Sequence, residues 1–375
     1  KRTIENSFRP YHMSDLPPIN FTRGVPAVES FPADKIIDAS QVVLREHASI
    51  ILQYGSAYGL RLLREWLASW HSVAVESVLC SNGSLNLIEF ICSLLLHSEN
   101  KTVFVEAPTY DRAVTRLYKH GAEIVSIPLQ DDGPDIEILD AKLQQHQPSF
   151  FYIIPDFQNP AGTTCSHEKR IRLIELARQH GYIYLEDSPY RPLRYWGVEQ
   201  PSLFEIAPDV VVQMSSFSKL IGPGTRMGYI LGDVDLLAKV AKVAEDTYIT
   251  PSLLSHGIVY EFCRAGHLQP QIDRLKALYR PRLEATLASL DEHLPQAKFV
   301  RPDGGFFLSI TLPRGVTTMD VRAHASRVNL NLADGRAFFV NGGGERFLRL
   351  PYCALTPEQI RGGISRLAEI VRRLQ

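Results

Sequence analysis

The chain has 375 residues, 45% of them hydrophobic and 22% charged. That is an ordinary globular composition with enough apolar surface for a large core, and the length predicts two domains or one large domain with an appendage. Forty basic against forty-one acidic side chains leave a formal net charge of −1, which argues against a protein held on nucleic acid by a general basic field.

No run reaches the roughly 18 apolar residues of a membrane span, and the longest, Leu87–Leu96, is broken by Glu89 and Ser93. Lys1–Pro18 carries charges and prolines but no apolar signal-peptide core. Cys80, Cys92, Cys165, Cys263 and Cys353 are odd in number and far apart, so they read as small buried side chains in a reducing cytoplasm.

In chain order, the first 33 residues are proline-rich and irregular, an ordered extended arm or a disordered tail. Phe8, Tyr11 and Phe21 favour an arm that packs on something. Helices are predicted over 33–49, with Ile36, Ile37, Val43 and Leu44, and over 58–71, with Leu60, Leu63, Trp66, Leu67 and Trp70 on one face. An alternation follows: strand 78–81, helix 85–96, strand 102–106, helix 110–120, strand 123–128, helix 136–145, strand 150–154, helix 167–180 and strand 182–186. Strands 210–214 and 227–231 continue it. Apolar strands separated by helices describe a largely parallel sheet covered on both faces. From Asp233 to about Leu294 the pattern is helical, with a break at Gly266. Strand 306–311, helix 318–329, strand 347–350 and helix 357–374 then read as a small α+β unit. The expected division is an arm and the start of the small domain over 1–45, a large domain over 46–275 and a small domain over 276–375. The arm completes that small unit or crosses to a second subunit.

Ligands of such sheets bind at the carboxyl ends of the strands. After 78–81 comes Asn82-Gly83-Ser84, opening a helix whose free N–H groups suit an anion; Asn82 reads equally as a simple cap. After 102–106 comes Tyr110, and after 150–154 the run Pro155-Asp156-Phe157-Gln158-Asn159-Pro160-Ala161-Gly162. After 182–186 come Asp187 and Tyr190, and after 210–214 come Ser215, Ser216, Ser218 and Lys219, with Arg226 beyond. An anion-binding turn, an aromatic ring, an amide, a carboxylate with a phenol, and a lysine, in strand order, match what pyridoxal phosphate needs.

The same segments resemble a known family. Ser216-Phe217-Ser218-Lys219 with Pro223-Gly224 and Arg226, Gln158-Asn159-Pro160-Ala161-Gly162, Glu186-Asp187-Ser188-Pro189-Tyr190 and Gly304-Gly305-Phe306-Phe307 look like the class I/II aminotransferases of pyridoxal-phosphate fold type I. The chain is most similar to the 2-aminoadipate and aromatic aminotransferase branch, which also supplies the catalytic domain of fused transcription regulators. The likeness runs from about Ile19 to Leu374.

It implies an α/β fold: a large domain with a mostly parallel, seven-stranded type of sheet, plus a small α+β domain. It implies pyridoxal 5'-phosphate bonded to Lys219, which also moves protons, Asp187 on the pyridine nitrogen, and Tyr110 stacked on the ring. Asn159 and Tyr190 would bond the ring's 3-oxygen, and Gly83, Ser84, Ser216, Ser218 and Arg226 would cradle the phosphate. Tyr54 looks like the tyrosine that reaches the phosphate of a neighbouring subunit, which implies a homodimer with a shared active site. Arg349 looks like the arginine that grips the substrate carboxylate bidentately, with a structural ion pair on a strand as the alternative.

The implied reaction is exchange of an amino group between an amino acid and a 2-oxo acid, by way of the Lys219 aldimine and pyridoxamine phosphate. The alternative on the same residues is elimination and cyclisation of a hydroxylated arginine-like amino acid, of the capreomycidine- or enduracididine-forming type. Arg23, in Arg23-Gly24-Val25-Pro26 where many relatives have Gly-Gly-Leu-Pro, meets a distal substrate carboxylate or is a solvated charge. Glu29 or Asp156 could instead meet a cationic side chain. Ile221-Gly222-Pro223-Gly224-Thr225-Arg226 and Leu85-Asn86 also depart from the usual pattern. A fused regulator is disfavoured by the roughly 30 residues before the first helix. A nicotinamide enzyme lacks its Gly-x-Gly-x-x-Gly after the first strand, and no His-Glu-x-x-His points to metal catalysis. The expected partner is an amino acid, with neither nucleic acid nor membrane.

Overall fold

The computed structural model describes residues 16–96 and 99–375. Phe8 and Tyr11, two of the three aromatic residues expected to anchor the arm, lie outside them. Twelve strands occur among the described residues: β1 (Ile19–Phe21), β2 (Val78–Ser81), β3 (Thr102–Ala107), β4 (Glu123–Gln130), β5 (Gly133–Pro134), β6 (Phe150–Ile153), β7 (Ile183–Asp187), β8 (Val211–Ser216), β9 (Gly228–Leu231), β10 (Phe307–Thr311), β11 (Leu330–Leu332) and β12 (Phe347–Pro351).

The main sheet has the order β2-β9-β8-β7-β6-β3-β4-β5. Neighbours from β8 to β4 are parallel, and β9 runs antiparallel to both β2 and β8. The expected seven strands are all present; the eighth, β5, is a two-residue edge folded back on β4. Because side chains alternate across a strand, one apolar run feeds two cores. Phe104, Phe151, Ile153 and Tyr184 join one cluster, whereas Val103, Val105, Phe150, Tyr152 and Leu185 join the other.

Helices return between the parallel strands, and their ends are set locally. Helix His167–His180 starts at Ser166, whose hydroxyl accepts the Lys169 N–H, and stops at Gly181 in the left-handed conformation. Helices Ile136–Leu143 and Val234–Tyr248 are capped in the same way by Asp135 and Asp233. The long helical stretch resolves into Val234–Tyr248, Leu253–Arg264 and Leu268–His293, with the break at Gly266 as expected. The helix expected over 318–329 stops at Ala325. A short 3-10 turn, Ser326–Val328, then leads to Asn329 at φ 51°, a conformation asparagine tolerates.

Two small sheets stand apart from the main one. β10 pairs antiparallel with β12, and β1 pairs in parallel with β11. The described part of the arm therefore completes the small C-terminal unit. Phe21 is buried there against Gly363 of helix Pro357–Leu374, where no room remains for a side chain. Helix Ala33–Glu46 buries Ala39 and Val43 but leaves Ile37 and Leu44 exposed, so its apolar stripe is only partly covered within this chain.

Candidate active site

A cavity of about 690 Å³ opens at the carboxyl ends of the main-sheet strands. Its floor is made by Ser84 after β2, Tyr110 after β3, Asn159 after β6, Asp187 and Tyr190 at and after β7, and Ser216, Ser218 and Lys219 at and after β8. Arg226, Arg349 and Arg23 line the same space. The structure thus gathers every site residue anticipated from the sequence except Gly83, which directly precedes Ser84, and Tyr54. The Tyr54 ring is 73% exposed, beside a separate depression formed by residues 51–54 and 250–254.

At one end the groups suit an anion. Helix Ser84–Leu95 begins after Gly83, which takes φ 98° and leaves the first turn without a side-chain cap. Asn82 is not that cap, since its Oδ1 accepts the Ser252 N–H at 2.9 Å. Gly228 on β9 presses on this turn so closely that a Cβ there would strike the Ser84 nitrogen. Ser216 Oγ accepts the Ser218 N–H at 3.1 Å and lies 2.8 Å from Ser218 Oγ. The Arg226 guanidinium meets the carbonyls of Asn82 at 3.3 Å and Pro223 at 3.4 Å, and no carboxylate among the described residues. Hydroxyls, an uncapped helix N-terminus and a guanidinium without a carboxylate are the donors a phosphate takes.

At the centre, Asp187 is buried and its Oδ2 accepts the Tyr152 hydroxyl at 2.8 Å. Its Oδ1 has no partner among the described residues. Burial pushes the Asp187 carboxyl up to about 7, against the opposing pull of the Tyr152 hydroxyl and the Lys219 charge. Leaving a buried carboxylate oxygen unpaired costs about 1–3 kcal/mol or more, so the site suits a cationic N–H donor such as a protonated pyridine. Desolvation holds the Lys219 amine down at about 8, and Nζ donates to the Gly24 carbonyl at 3.0 Å. Tyr190 is buried, its ring centroid 5.6 Å from those of both Phe306 and Phe307. Tyr110 stands at the start of helix Asp111–Lys119, its hydroxyl pushed up to about 12 by burial.

Opposite this floor, Arg349 sits on β12 across from Ser309. It is buried and pairs with no carboxylate among the described residues, which argues against a structural ion pair as its role. Nη1 donates to Asn159 Oδ1 at 2.9 Å and Nη2 to the Thr22 carbonyl at 2.7 Å, while Nε has no partner among the described residues. A buried arginine with no ion-pair partner among the described residues, Asp111 acting on it only through space, is poised for an anionic ligand.

The two acids considered for a cationic substrate are engaged elsewhere. Asp156 is buried against Arg170 at 2.8 Å, and Glu29 pairs with Arg282, which holds its carboxyl below the usual range. Neither lines the cavity. Sequence reasoning did not find Tyr152, Phe338, or the arm carbonyls of Thr22 and Gly24. Tyr152 did carry a signal, because a phenol in an apolar strand needs a partner for its hydroxyl. Phe338 and the two carbonyls come from loops with no motif.

The pattern that defines the family described as aminotransferase class I and II matches residues 17–367. The 2-aminoadipate transaminase of Thermus thermophilus is 32% identical over 361 residues, covering 95% of this chain and 90% of that protein. Aromatic-amino-acid aminotransferase 1 of Thermococcus litoralis is 32% identical over 367 residues, covering 94% and 88%. Among solved structures, the alpha-aminoadipate aminotransferase of Thermus thermophilus with N-(5'-phosphopyridoxyl)-L-leucine superposes with a TM-score of 0.90, at 32% identity over 95% of this chain and 92% of that one.

Proposed function

The chain belongs to the class I and II aminotransferases, pyridoxal-phosphate enzymes of fold type I, and from that premise we propose how its cavity divides the work of amino-group exchange. The observation that carries the assignment of roles is the pairing, in one cavity, of the unpartnered Asp187 Oδ1 with Lys219 on one wall and the carboxylate-free Arg349 on the other. The two relatives described above are named as aminotransferases, which supports this reading and not the elimination and cyclisation alternative.

Pyridoxal 5'-phosphate, when bound, supplies an aldehyde that takes the amino group and a ring that accepts the electrons left when the α-proton departs. Gly83, Ser84, Ser216, Ser218 and Arg226 would hold its phosphate, and Asp187 would pair with the ring nitrogen. Asn159 and Tyr190 would bond the 3-oxygen, and Tyr110 would cover the ring. Arg349 takes the substrate α-carboxylate, exchanging its contact with the Thr22 carbonyl for two in-plane bonds. Lys219 would hold the cofactor and, once freed, would move a proton to and from the α-carbon. Desolvation suits it to that work, because an amine poised at about 8 has roughly a tenth of its population neutral at pH 7, far more than an exposed lysine.

Arg23 at the cavity mouth meets a distal carboxylate, so the substrates include dicarboxylic amino acids. Support comes from its guanidinium, which pairs with no carboxylate among the described residues, and from the removal of Glu29 and Asp156 as candidates for a cationic substrate. The active unit is a homodimer in which Tyr54 serves the partner's phosphate. Exposed Leu52, Tyr54 and Leu254 around one depression, with Ile50 and Ile249 beside them in the chain, support an apolar interface there. On this reading the arm and start of the small domain run over 1–45, the large domain over 46–275 and the small domain over 276–375, a division supported by the main sheet lying between Val78 and Leu231. Five buried free thiols support a cytoplasmic setting.

The test is a half-reaction. Holoenzyme mixed with acidic, aromatic, aliphatic and basic amino acids, hydroxylated arginine included, and no 2-oxo acid should release about one equivalent of the matching 2-oxo acid per cofactor. Dicarboxylic amino acids should be the best donors. A dehydrated or cyclised product formed over many turnovers defeats the reading.

A further inference from the structure

We infer that Phe338 is a positioning residue: it fixes the plane of the Arg349 guanidinium and ties that plane to the Tyr110 end of the cavity. The inference rests on Arg349 receiving the substrate carboxylate, as proposed above.

The Arg349 guanidinium carbon lies 4.6 Å from the Phe338 ring centroid and 4.8 Å from that of Phe307. With rings against the guanidinium, an anion can reach only its N–H edge, which favours bidentate, in-plane binding. Part of that edge is engaged with Asn159 and Thr22, and Nε is unpartnered. The two rings differ in what holds them. Phe307 is on β10, hydrogen-bonded to β12 beside Arg349 itself. Phe338 ends the short turn Gly335–Phe338, and its ring is buried with its centroid 6.2 Å from that of Phe347.

This turn is pinned at both ends. Gly335 lies so close to the Phe347 carbonyl that any side chain would overlap it. At the other end, the Phe338 carbonyl accepts the N–H of Thr109, the residue before Tyr110, at 2.9 Å. One residue therefore touches the carboxylate-binding arginine through its side chain and the ring-stacking loop through its backbone.

Four holoenzymes test this: Phe338→Leu, Phe338→Tyr, Arg349→Lys and the Phe338→Leu/Arg349→Lys double variant. Two readouts are used, the calorimetric affinity for glutarate, a dicarboxylate with no amino group, and the KM and kcat for the best amino acid. Phe338→Leu should weaken glutarate and raise KM by about 10-fold. It should change kcat by less than about 3-fold. Phe338→Tyr, which keeps the ring, should stay within about 2-fold of wild type. In the Arg349→Lys background the leucine substitution should add nothing. An unchanged KM in Phe338→Leu, or the same penalty in both backgrounds, marks Phe338 as merely structural and overturns the inference alone. Unchanged glutarate affinity in Arg349→Lys removes the carboxylate reading and the inference with it.

Discussion

The two walls of the cavity are built on different principles. The floor consists of the ends of adjacent strands in one sheet, so Asp187, Ser216 and Lys219 hold their places through a few residues of backbone. The opposite wall combines the arm at residues 22–25 with Phe307, Phe338 and Arg349, brought together from the two extremes of the described chain. The first wall can be specified locally and varies little without losing its chemistry. The second depends on long-range packing, so it can change substrate preference while the floor stays as it is.

The largest effect should follow from emptying the floor of its amine. Lys219→Ala should lower kcat by at least about 10³-fold, because both the holding of the aldehyde and the proton transfer go with it. Rapid-mixing kinetics on the reconstituted variant measure this. A loss under about 10-fold would mean that the strand-end wall is not where the proton moves.

Next in size is Asp187→Asn, which separates function from stability. Removing the charged acceptor should reduce kcat by about 10²–10³-fold. In the cofactor-free protein the same change should stabilise the fold above neutral pH. The Asp187 carboxyl titrates at about 7 instead of the ordinary 3.8, because burial disfavours its charged form. Between those values the unfolded chain has already lost a proton that the folded chain keeps, so stability falls as pH rises through that window and levels off above about 7. At most about 4 kcal/mol is involved, at about 1.4 kcal/mol per unit. Urea unfolding of both cofactor-free proteins between pH 4 and 8 should show this part of the slope in wild type and its absence in the variant.

Tyr152→Phe should act on the same carboxylate more gently. It removes the donor to Oδ2, leaving both Asp187 oxygens without a protein partner and raising the carboxyl further. One hydrogen bond to a charged group is worth about 1.5–3 kcal/mol, so cofactor affinity measured by equilibrium dialysis should fall about 10- to 100-fold. If affinity is unchanged, the ring nitrogen does not depend on the state of Asp187.

These effects also mark where the sequence was legible. Each floor residue follows a strand whose apolar run is plain, and Lys219, Asp187 and Asn159 sit in short stretches that need no long-range contact to be noticed. Tyr152 was half legible, since its hydroxyl needed a partner but only the β6–β7 register places Asp187 beside it. Phe338 was not legible, because its position depends on Gly335 packing against Phe347 and on Thr109 from a distant loop. The arm's place was left between two alternatives for the same reason: parallel pairing of β1 with β11 is a contact between chain ends that no local pattern announces.

The smallest expected effect is on the variable wall and bears most directly on the contrast. Arg23 is exposed at the cavity mouth, where water and salt screen its charge, so an ion pair it makes with a substrate is worth about 0.2–1 kcal/mol. Arg23→Gln should therefore raise KM for a dicarboxylic amino acid by only about 2- to 5-fold, and the difference should shrink as ionic strength rises. KM for an aliphatic amino acid of similar length should not change, because that substrate presents nothing to the guanidinium. kcat for both should hold, since the floor is untouched. Equal changes in KM for the two substrates would show that Arg23 shapes the arm without reading the substrate. A drop in kcat would show that the two walls are coupled more tightly than their separate construction suggests.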